Sequence, residues 1–576
     1  MPRYTGSDQS KRDRLAALAN TLWSERTSGF DPHWSELDQY LLPRRTRFWT
    51  GDKNRGDKRN EKIIDSTGRY AARTLGSGLH AGLTSPARPW MKLTTPNPEL
   101  AKIPVVKYWL HEVTQRMLTI FAQTNIYNTF PIVYQDMGVF GTGAVAVLED
   151  SKDLFRCYPY ALGSYAIGVD ARGLACTLVR KFQLTVRQVV EEFGVSDDGK
   201  DIDWTNISTI VKNAWDKGEY QTPVQICWIV TPNEDYDPDA FGNKYLKFTS
   251  CHYEDASTEK NFLRESGFRS FPVMVPRWDI TEGDSYGTDS PGMTALGDVK
   301  QLQIMQKKLG QAIAKMVDPP LAGPTSLITQ KVSLLPSDIT YVDHREGMGG
   351  LRAIHEVNLR IDHLTNDIAN VQFRIQRAFY EDLFLMLARS DQQRGSTPIT
   401  AREVEERHEE KLIALGPVLE RTNDELLDPI VDRVFEMMER AGLIPPAPEQ
   451  LQGVNIKPEY VSILAQAQKL VGVVGLDRFN QNVLAIAPVV PSVLNKVNYN
   501  RVIDDYGDML GIDPNILRSD EEADEMTAQQ AEAQQAREEA ETAAKMGAAM
   551  KSAATAPLEG DTALSRLASA AAAGTV

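Results

Sequence analysis

Cysteine is scarce in this chain: Cys157, Cys176, Cys227 and Cys251 are scattered through 576 residues, and no two form a C-x-x-C pair. That excludes a disulfide framework and a thiolate zinc site, and a reducing compartment is expected. The eight histidines run from His33 to His408, and the closest two, His355 and His363, are eight apart across a helix start, which is no ligand spacing. Long apolar runs are missing too. The best candidate, Val483 to Leu494, is broken by Pro488 and Pro491 and falls short of the roughly 18 residues of a membrane helix. The opening Met-Pro-Arg-Tyr-Thr-Gly has no signal-peptide apolar stretch, so a soluble, cytoplasmic protein without a membrane partner is expected. Positive charge is in deficit, with 63 Lys+Arg against 78 Asp+Glu and a net charge of −15. Repulsion then opposes counterion release, so tight static binding of nucleic acid is not expected, although nucleic acid could pass without being held.

What is present is ordinary globular composition, 42% hydrophobic and 24% charged, over a length that suits about four folding units. The charge is uneven. Between Asp520 and Glu541 nine acidic residues face one Arg537, whereas Arg44 to Lys62 holds eight basic residues against Asp52, Asp57 and Glu61. The basic stretch also carries Gly51, Asn54, Gly56 and Asn60, so it reads first as a solvated loop and second as a phosphate contact.

Residues 10 to 42 read as helical, with Leu15, Leu18 and Leu22 on one face, a break at Asp31-Pro32, and then Trp34, Leu37 and Leu41. Ser66 to Leu83 is a second helical run. Short β-rich runs follow at Ala144–Leu148, Tyr165–Val169, Thr177–Leu184, Val224–Val230, Tyr245–Cys251 and Phe271–Val275. Among them Thr185 and Gln188 form a capping box, Val186, Val189, Val190 and Phe193 an apolar face, and Gly194 an end. The spacing then predicts a helix from Thr294 to Met316, stopped by Pro319-Pro320, and another from about Asn358. In the latter, Ile361, Leu364, Ile368, Val371 and Ile375 make a narrow 4/3 stripe suited to a neighbouring helix. Leu321 to Glu356 is turn-rich. Residues Arg389 to Pro398 read as a loop, and Thr400 to Arg440 as a long helix bent near Gly416-Pro417 and Pro429. Residues 459 to 517 read as short helices, and the Ala/Gln/Glu-rich end as frayed helix giving way to disorder.

Chemical motifs fail on inspection. Gly194 to Lys200 nearly spells a phosphate loop, but Asp201 stands where Ser or Thr must hold magnesium, and Asp197 and Asp198 repel phosphate. Gly76, Gly78 and Gly82 miss the dinucleotide spacing and lie in a helical pattern, where close helix packing is the better reading. Gly138, Gly141 and Gly143 suit a tight turn. His408 lacks a second histidine four residues on, and no G-x-S-x-G turn occurs. No catalytic, cofactor or metal site is expected.

The run Ile64-Asp-Ser-Thr-Gly-Arg-Tyr-Ala-Ala-Arg-Thr-Leu-Gly-Ser-Gly-Leu-His-Ala-Gly-Leu-Thr-Ser-Pro-Ala-Arg-Pro-Trp90 resembles the N-terminal signature of podovirus head-to-tail connectors, the portal proteins of short-tailed bacteriophages. Phe130 to Ala144 and Tyr160 to Tyr165 resemble its next blocks, and Thr400 to Arg421 with Glu425-Leu-Leu-Asp-Pro-Ile430 is the strongest. The resemblance spans residues 10 to about 520 and thins beyond. It implies an α+β portal-type subunit that forms a dodecameric ring at one capsid vertex. It also implies partners: double-stranded DNA in the channel, the terminase large subunit, tail adaptor and tail proteins, and capsid and scaffolding proteins. The parts would be an α+β wing (1–288), stem helices (289–318 and 358–388), a clip (319–357), a channel loop (389–399), a long wing helix (400–445), a helical crown (446–518) and a tail (519–576). On that reading Arg394 and Arg389 are DNA-channel candidates. Ile361, Leu364, Ile368, Val371 and Ile375 are oligomer-contact candidates, because two narrow-striped helices cannot cover both faces within one subunit. Two other readings remain: an ATPase or nuclease of the packaging apparatus, and a tail adaptor or internal core protein.

Overall fold

The structure is a computed structural model that describes residues 10–48, 56–101, 103–195, 201–257, 261–317, 361–384, 415–451 and 520–554, with short pieces at 321–322, 352–353, 456–460, 479–483, 497–499 and 501–503 and single residues at 51, 259, 453 and 485. The chain makes two compact units, residues 1–100 with 109–467, and residues 101–108 with 468–576.

The first unit begins with helices Lys11–Gly29 (α1) and Asp31–Tyr40 (α2), separated at Phe30 ahead of Pro32 as the sequence predicts. Ser10 caps α1 by accepting from the Asp13 amide at 3.3 Å. Its buried face differs from the one expected: Leu15 and Ala19 are covered, whereas Leu18 is exposed. Helix Thr67–Leu83 (α3) follows, then strand Met91–Thr94 (β1), a single turn Pro98–Ala101 (α4), and helices Pro104–Gln123 (α5) and Ile126–Phe140 (α6). The α3 glycines set its packing. A Cβ on Gly76 would lie 2.9 Å from the Pro131 carbonyl and 3.0 Å from the Gln135 Cβ, so α3 and α6 close to a distance that only glycine permits. Gly82 has open space beside it.

Strands Val145–Asp150 (β2), Leu154–Pro159 (β3) and Val273–Met274 (β9) form a small antiparallel sheet in the order β3-β2-β9. Gly141, at φ +78°, ends α6 and turns the chain toward β2. The larger sheet has the order β4-β5-β6-β7-β8, from Tyr165–Val169 (β4), Ala175–Thr185 (β5), Pro223–Pro232 (β6), Phe248–Glu254 (β7) and Arg264–Phe268 (β8), all antiparallel. Side chains alternate between its faces. Ala166, Val179, Cys227, Ile229, Cys251 and Tyr253 pack with Leu15 and Ala19 of α1 on one face. On the other face, Ile226 packs with helices Val186–Phe193 (α7) and Thr209–Asp216 (α8). The predicted capping box of α7 is formed in full by Thr185 and Gln188, and the near phosphate loop begins as the helix-ending turn at Gly194, with 196–200 outside the described residues.

The register puts Arg180, Trp228, His252 and Arg264 opposite one another on four adjacent strands. Trp228 and His252 stack with centroids 5.4 Å apart and planes 8° from parallel.

Helix Pro291–Val317 (α9) leaves this body, and strands Leu321–Ala322 (β10) and Arg352–Ala353 (β11) pair antiparallel beyond its end. Helix Ile361–Ala378 (α10) returns and ends before the expected stem segment 358–388 does: Tyr380 takes φ +55°, and a separate turn Glu381–Phe384 (α11) follows. The break follows from packing, since Phe379 and Leu383 are both buried, and the Tyr380 ring lies 6.3 Å from Trp278. Gly78 makes room for α11, because a Cβ there would sit 2.3 Å from Phe384 Cγ.

Residues 415–440 are helical through Pro417, with a π turn at Asn423–Leu427 just before helix Asp428–Arg440 (α12). Lys457–Tyr460 (β12) is a strand against β1, with Lys92 and Glu459 paired at 3.2 Å, and not the start of a helical region. Pro458 disfavours a helix interior and is tolerated on this two-stranded ribbon. In the second unit, Asp520–Ala554 (α13) runs as one 35-residue helix, longer and more regular than a frayed end. Its Ala, Gln and Glu are strong helix formers.

Burial, reinforced by the charges of Arg264 and Arg180, drives the His252 imidazole down to about 3. In the unfolded chain it titrates near pH 6.5, so the unfolded state takes the proton first as pH falls. The stability it confers is complete above about pH 6.5 and declines toward pH 3, by up to about 1.4 kcal/mol per pH unit. His252→Phe, which keeps a ring on Trp228, should flatten the slope of urea stability between about pH 6.5 and 5 by close to one proton. An unchanged slope would assign the titration to another group.

Candidate functional site: the projecting helix pair and its anchors

Asp65 ties the helix pair to the body. Its carboxylate accepts from the Thr67 amide at 2.8 Å at the start of α3, from Gln306 Nε2 of α9 at 3.1 Å and from Gln372 Nε2 of α10 at 2.8 Å. Gln303 Oε1 of α9 in turn accepts from the Ile64 and Asp65 amides at 2.7 and 2.8 Å. Burial works to raise the Asp65 carboxyl, but these donors outweigh it and hold it below the usual carboxylate range. Arg374 of α10 pairs with Asp298 of α9 at 2.8 Å.

α10 packs on α9 and α3. Its Ile368, Val371 and Ile375 are 5%, 2% and 0% exposed within a single chain, and Leu364 is half-buried. Three of the five stripe residues are therefore covered by the subunit's own fold, which corrects the expectation that a neighbouring copy must cover them. Of Ile361 only the backbone is described, and Arg389 and Arg394 lie outside the described residues. The expectation of an uncovered surface applies elsewhere. From Lys307 to Val317 no side chain of α9 is buried, and Ile313, Met316 and Val317 are exposed there, as are Ile304 of α9 and Phe373 of α10.

A second anchor joins the segment leading into α9 to the π turn. Arg277 donates to Glu425 from its amide at 2.9 Å, from Nε at 3.2 Å and from Nη2 at 2.5 Å. Nη2 also reaches the Gly173 carbonyl at 2.6 Å, and Nη1 the Ser285 carbonyl at 3.3 Å. The side chains of Arg277 and Glu425 are 1% and 8% exposed. Burial pushes the Glu425 carboxyl up, and Arg277 pulls it back only in part. Pro429 accounts for the π turn, since it has no amide hydrogen to give the Glu425 carbonyl four residues back. A helix irregularity near Pro429 was predictable; its partner Arg277, 148 residues away in sequence, was not.

The basic stretch is partly structural. Arg45 holds the buried Asp136 through Nε at 2.7 Å and Nη2 at 2.6 Å, and Arg44 donates to the Asp57 carbonyl at 3.2 Å. A notch of about 470 Å³ beside them is lined by Arg44, Arg45, Arg69 and Arg73 with Ser66 and Tyr70. A larger cavity of about 870 Å³ opens over the Arg180–Arg264 row of the five-stranded sheet. All four cysteines are free thiols, and burial raises Cys227 and Cys251 to about 11 and Cys157 to about 12. Among the described residues no His, Cys, Asp and Glu group could hold a metal ion, and no helix is long and apolar enough to cross a membrane.

An α+β body with a projecting helix pair, anchored through the Ile64 signature and the Glu425 turn, is the setting for the comparisons with known proteins. The chain belongs to the family of bacteriophage head to tail connecting proteins, whose sequence model matches residues 12–517. It is 41% identical over 531 residues to the portal protein of Salmonella phage epsilon15, covering 92% of this chain and 93% of that one. It is 43% identical over 549 residues to a probable portal protein of Bordetella phage BPP-1, covering 94% and 96%.

Glu425→Gln should leave Arg277 buried without its counter-charge and destabilise the body by roughly 3–5 kcal/mol, read as a lower urea midpoint. Adding Arg277→Met should restore much of that loss, since it removes the uncompensated charge and leaves a neutral amide at position 425. If the double variant is no more stable than the single one, the cost lies in packing and not in the unpaired charge.

Proposed function

We propose that this chain is the portal subunit of a short-tailed phage. Copies form a ring, dodecameric as the family resemblance implies, at one capsid vertex, with capsid and scaffolding proteins around it. Double-stranded DNA enters and leaves through its channel without sequence-specific contact. The terminase large subunit docks during packaging, and tail adaptor and tail proteins follow. The protein acts as a structural channel and not as an enzyme, assembling in the host cytoplasm and ending in the virion.

The observation that carries the assembly is the bare outer half of α9. Ile313, Met316 and Val317 lie at i, i+3 and i+4 on a helix that the single chain leaves uncovered. Repeating such a face around a closed ring covers it against the next copy. In this reading α9 and α10 are the stem, β10 and β11 the base of the clip, the five-stranded sheet and α12 the wing, and residues 389–399 the channel loop. Arg394, and secondarily Arg389, then recur as circles of positive charge that meet phosphate weakly enough for the duplex to slide.

Negative-stain images of the purified protein should show hollow rings with a stalk. Ile313→Asp with Met316→Asp should abolish the high-mass species in size exclusion with light scattering while far-UV circular dichroism stays unchanged. Solid or filamentous particles, or undiminished mass in that variant, would overturn the ring contact. In an assembling phage system, Arg394→Glu should leave rings and capsids intact and reduce the DNA packaged. Full-length packaging would take the loop out of the DNA path.

A further inference from the structure

The basic notch where the end of α2 meets the start of α3 takes no part in the ring contact or the channel loop. Arg44, Arg45, Arg69 and Arg73 line it with Ser66 and Tyr70, and no Asp or Glu does, in a chain whose net charge is −15. Its remaining polar residue, Gln135, is also a donor. Arg45 is committed to the buried Asp136, which fixes it in place with its side chain still 25% exposed. Arg44 is exposed and reaches the Asp57 carbonyl at 3.2 Å, which seats the segment carrying Lys58 beside the notch. Arg69 and Arg73 are exposed four apart on one face of α3, and Tyr70 next to them is 67% exposed. Neither arginine pairs with a carboxylate among the described residues.

The helix itself gives no reason for this charge. Arg69 lies in the first turn of α3, where the helix dipole favours an anion, and that turn holds no acidic residue. The Asp65 carboxylate just ahead of it is engaged by Thr67, Gln306 and Gln372. Arg73, one turn on, is a like charge at i, i+4, a spacing that destabilises a helix. Two arginines set against the local electrostatics, in a notch without a carboxylate, call for an anion from outside.

The lining decides which anion. Leu42 and Pro43, its aliphatic members, are buried, so Tyr70 offers the single exposed ring. A docked protein segment needs apolar anchors at its centre, and the notch lacks them. A lone small anion among exposed arginines is screened by water and salt. A nucleic-acid backbone is not so limited, because each further phosphate adds a contact and releases counterions. Arginine, serine, glutamine and tyrosine are also the side chains that meet phosphate oxygens without reading bases.

We propose that this notch and the adjoining Lys58 hold successive backbone phosphates of duplex DNA outside the channel, with the Arg69 and Arg73 guanidiniums as the principal donors. Binding has no sequence preference and, on an acidic chain, is weak at physiological salt. The choice of DNA as the polyanion rests on the portal reading, but none of the ring or loop residues is used.

The test uses preassembled full-length protein and a relaxed, covalently closed circular duplex, which cannot thread a closed ring. The logarithm of its affinity should fall linearly with the logarithm of the salt concentration. Arg69→Gln with Arg73→Gln should weaken binding at least about tenfold at about 50 mM salt and lower the salt slope by about two, close to one per lost contact. Lys212→Gln with Lys217→Gln, the same change of charge at two exposed positions of α8 and its end, should alter neither. The circle should also protect Arg69 and Arg73 of the unmodified sequence from phenylglyoxal, read by mass spectrometry. Unchanged binding in the folded Arg69 and Arg73 variant, or no protection, would overturn the proposal. So would an equal loss in the Lys212 and Lys217 variant, which would reduce the effect to net charge. Poly-L-glutamate displacing the circle at equal charge would assign the notch to an acidic protein. A linear duplex binding through these arginines where the circle does not would put the notch inside the channel, and either result overturns the proposal. Ring formation is read separately by light scattering, so failure here and failure of the portal reading are told apart.

Discussion

The ion pair between Arg277 and Glu425 is the constraint on which the body depends. One guanidinium reaches the hairpin turn of the five-stranded sheet at Gly173, the Ser285 carbonyl on the way to α9, and the π turn ahead of α12. Three parts far apart in sequence are thereby held to one point. A buried ion pair adds little net stability over an apolar pair, so its contribution here is positional. It fixes where α9 begins, and Asp65 then fixes how α9 and α10 lie against α3.

The two anchors divide the helix pair. On α10, Ile368, Val371 and Ile375, on either side of the Gln372 contact, are covered by the chain itself. Outboard, α9 from Lys307 onward has no buried side chain. A helix bare on its apolar positions gains little packing from its own subunit, and the proposed ring contact draws on that surface. Rigid attachment at one end and uncovered surface at the other suit a part completed by its neighbours.

Much of this was legible in the sequence because the signals are local. The Thr185–Gln188 box, the Asp31-Pro32 break and the α9 periodicity are each written within a few residues. What was not legible depends on distant residues. β8 is the polar Arg-Glu-Ser-Gly-Phe, which becomes a strand by pairing with β7, and β12 exists because β1 lies beside it. The stripe on α10 was readable as a stripe, but periodicity cannot say whether a helix of the same chain or of another covers it. Arg277 and Arg433 carried no signal, since a buried arginine is defined by the carbonyls and carboxylates gathered around it. The family itself was legible, because its signatures fall on Asp65 and Glu425, the two anchor points.

The short β10–β11 pair has a separate consequence. Leu321 opposite Ala353 and Ala322 opposite Arg352 bring the two ends of the intervening segment side by side. A segment that leaves and re-enters a scaffold at adjacent points can change in length at little entropic cost, each doubling costing only about 0.6 kcal/mol. The length of chain between Ala322 and Arg352 can therefore change at little cost to the helix pair.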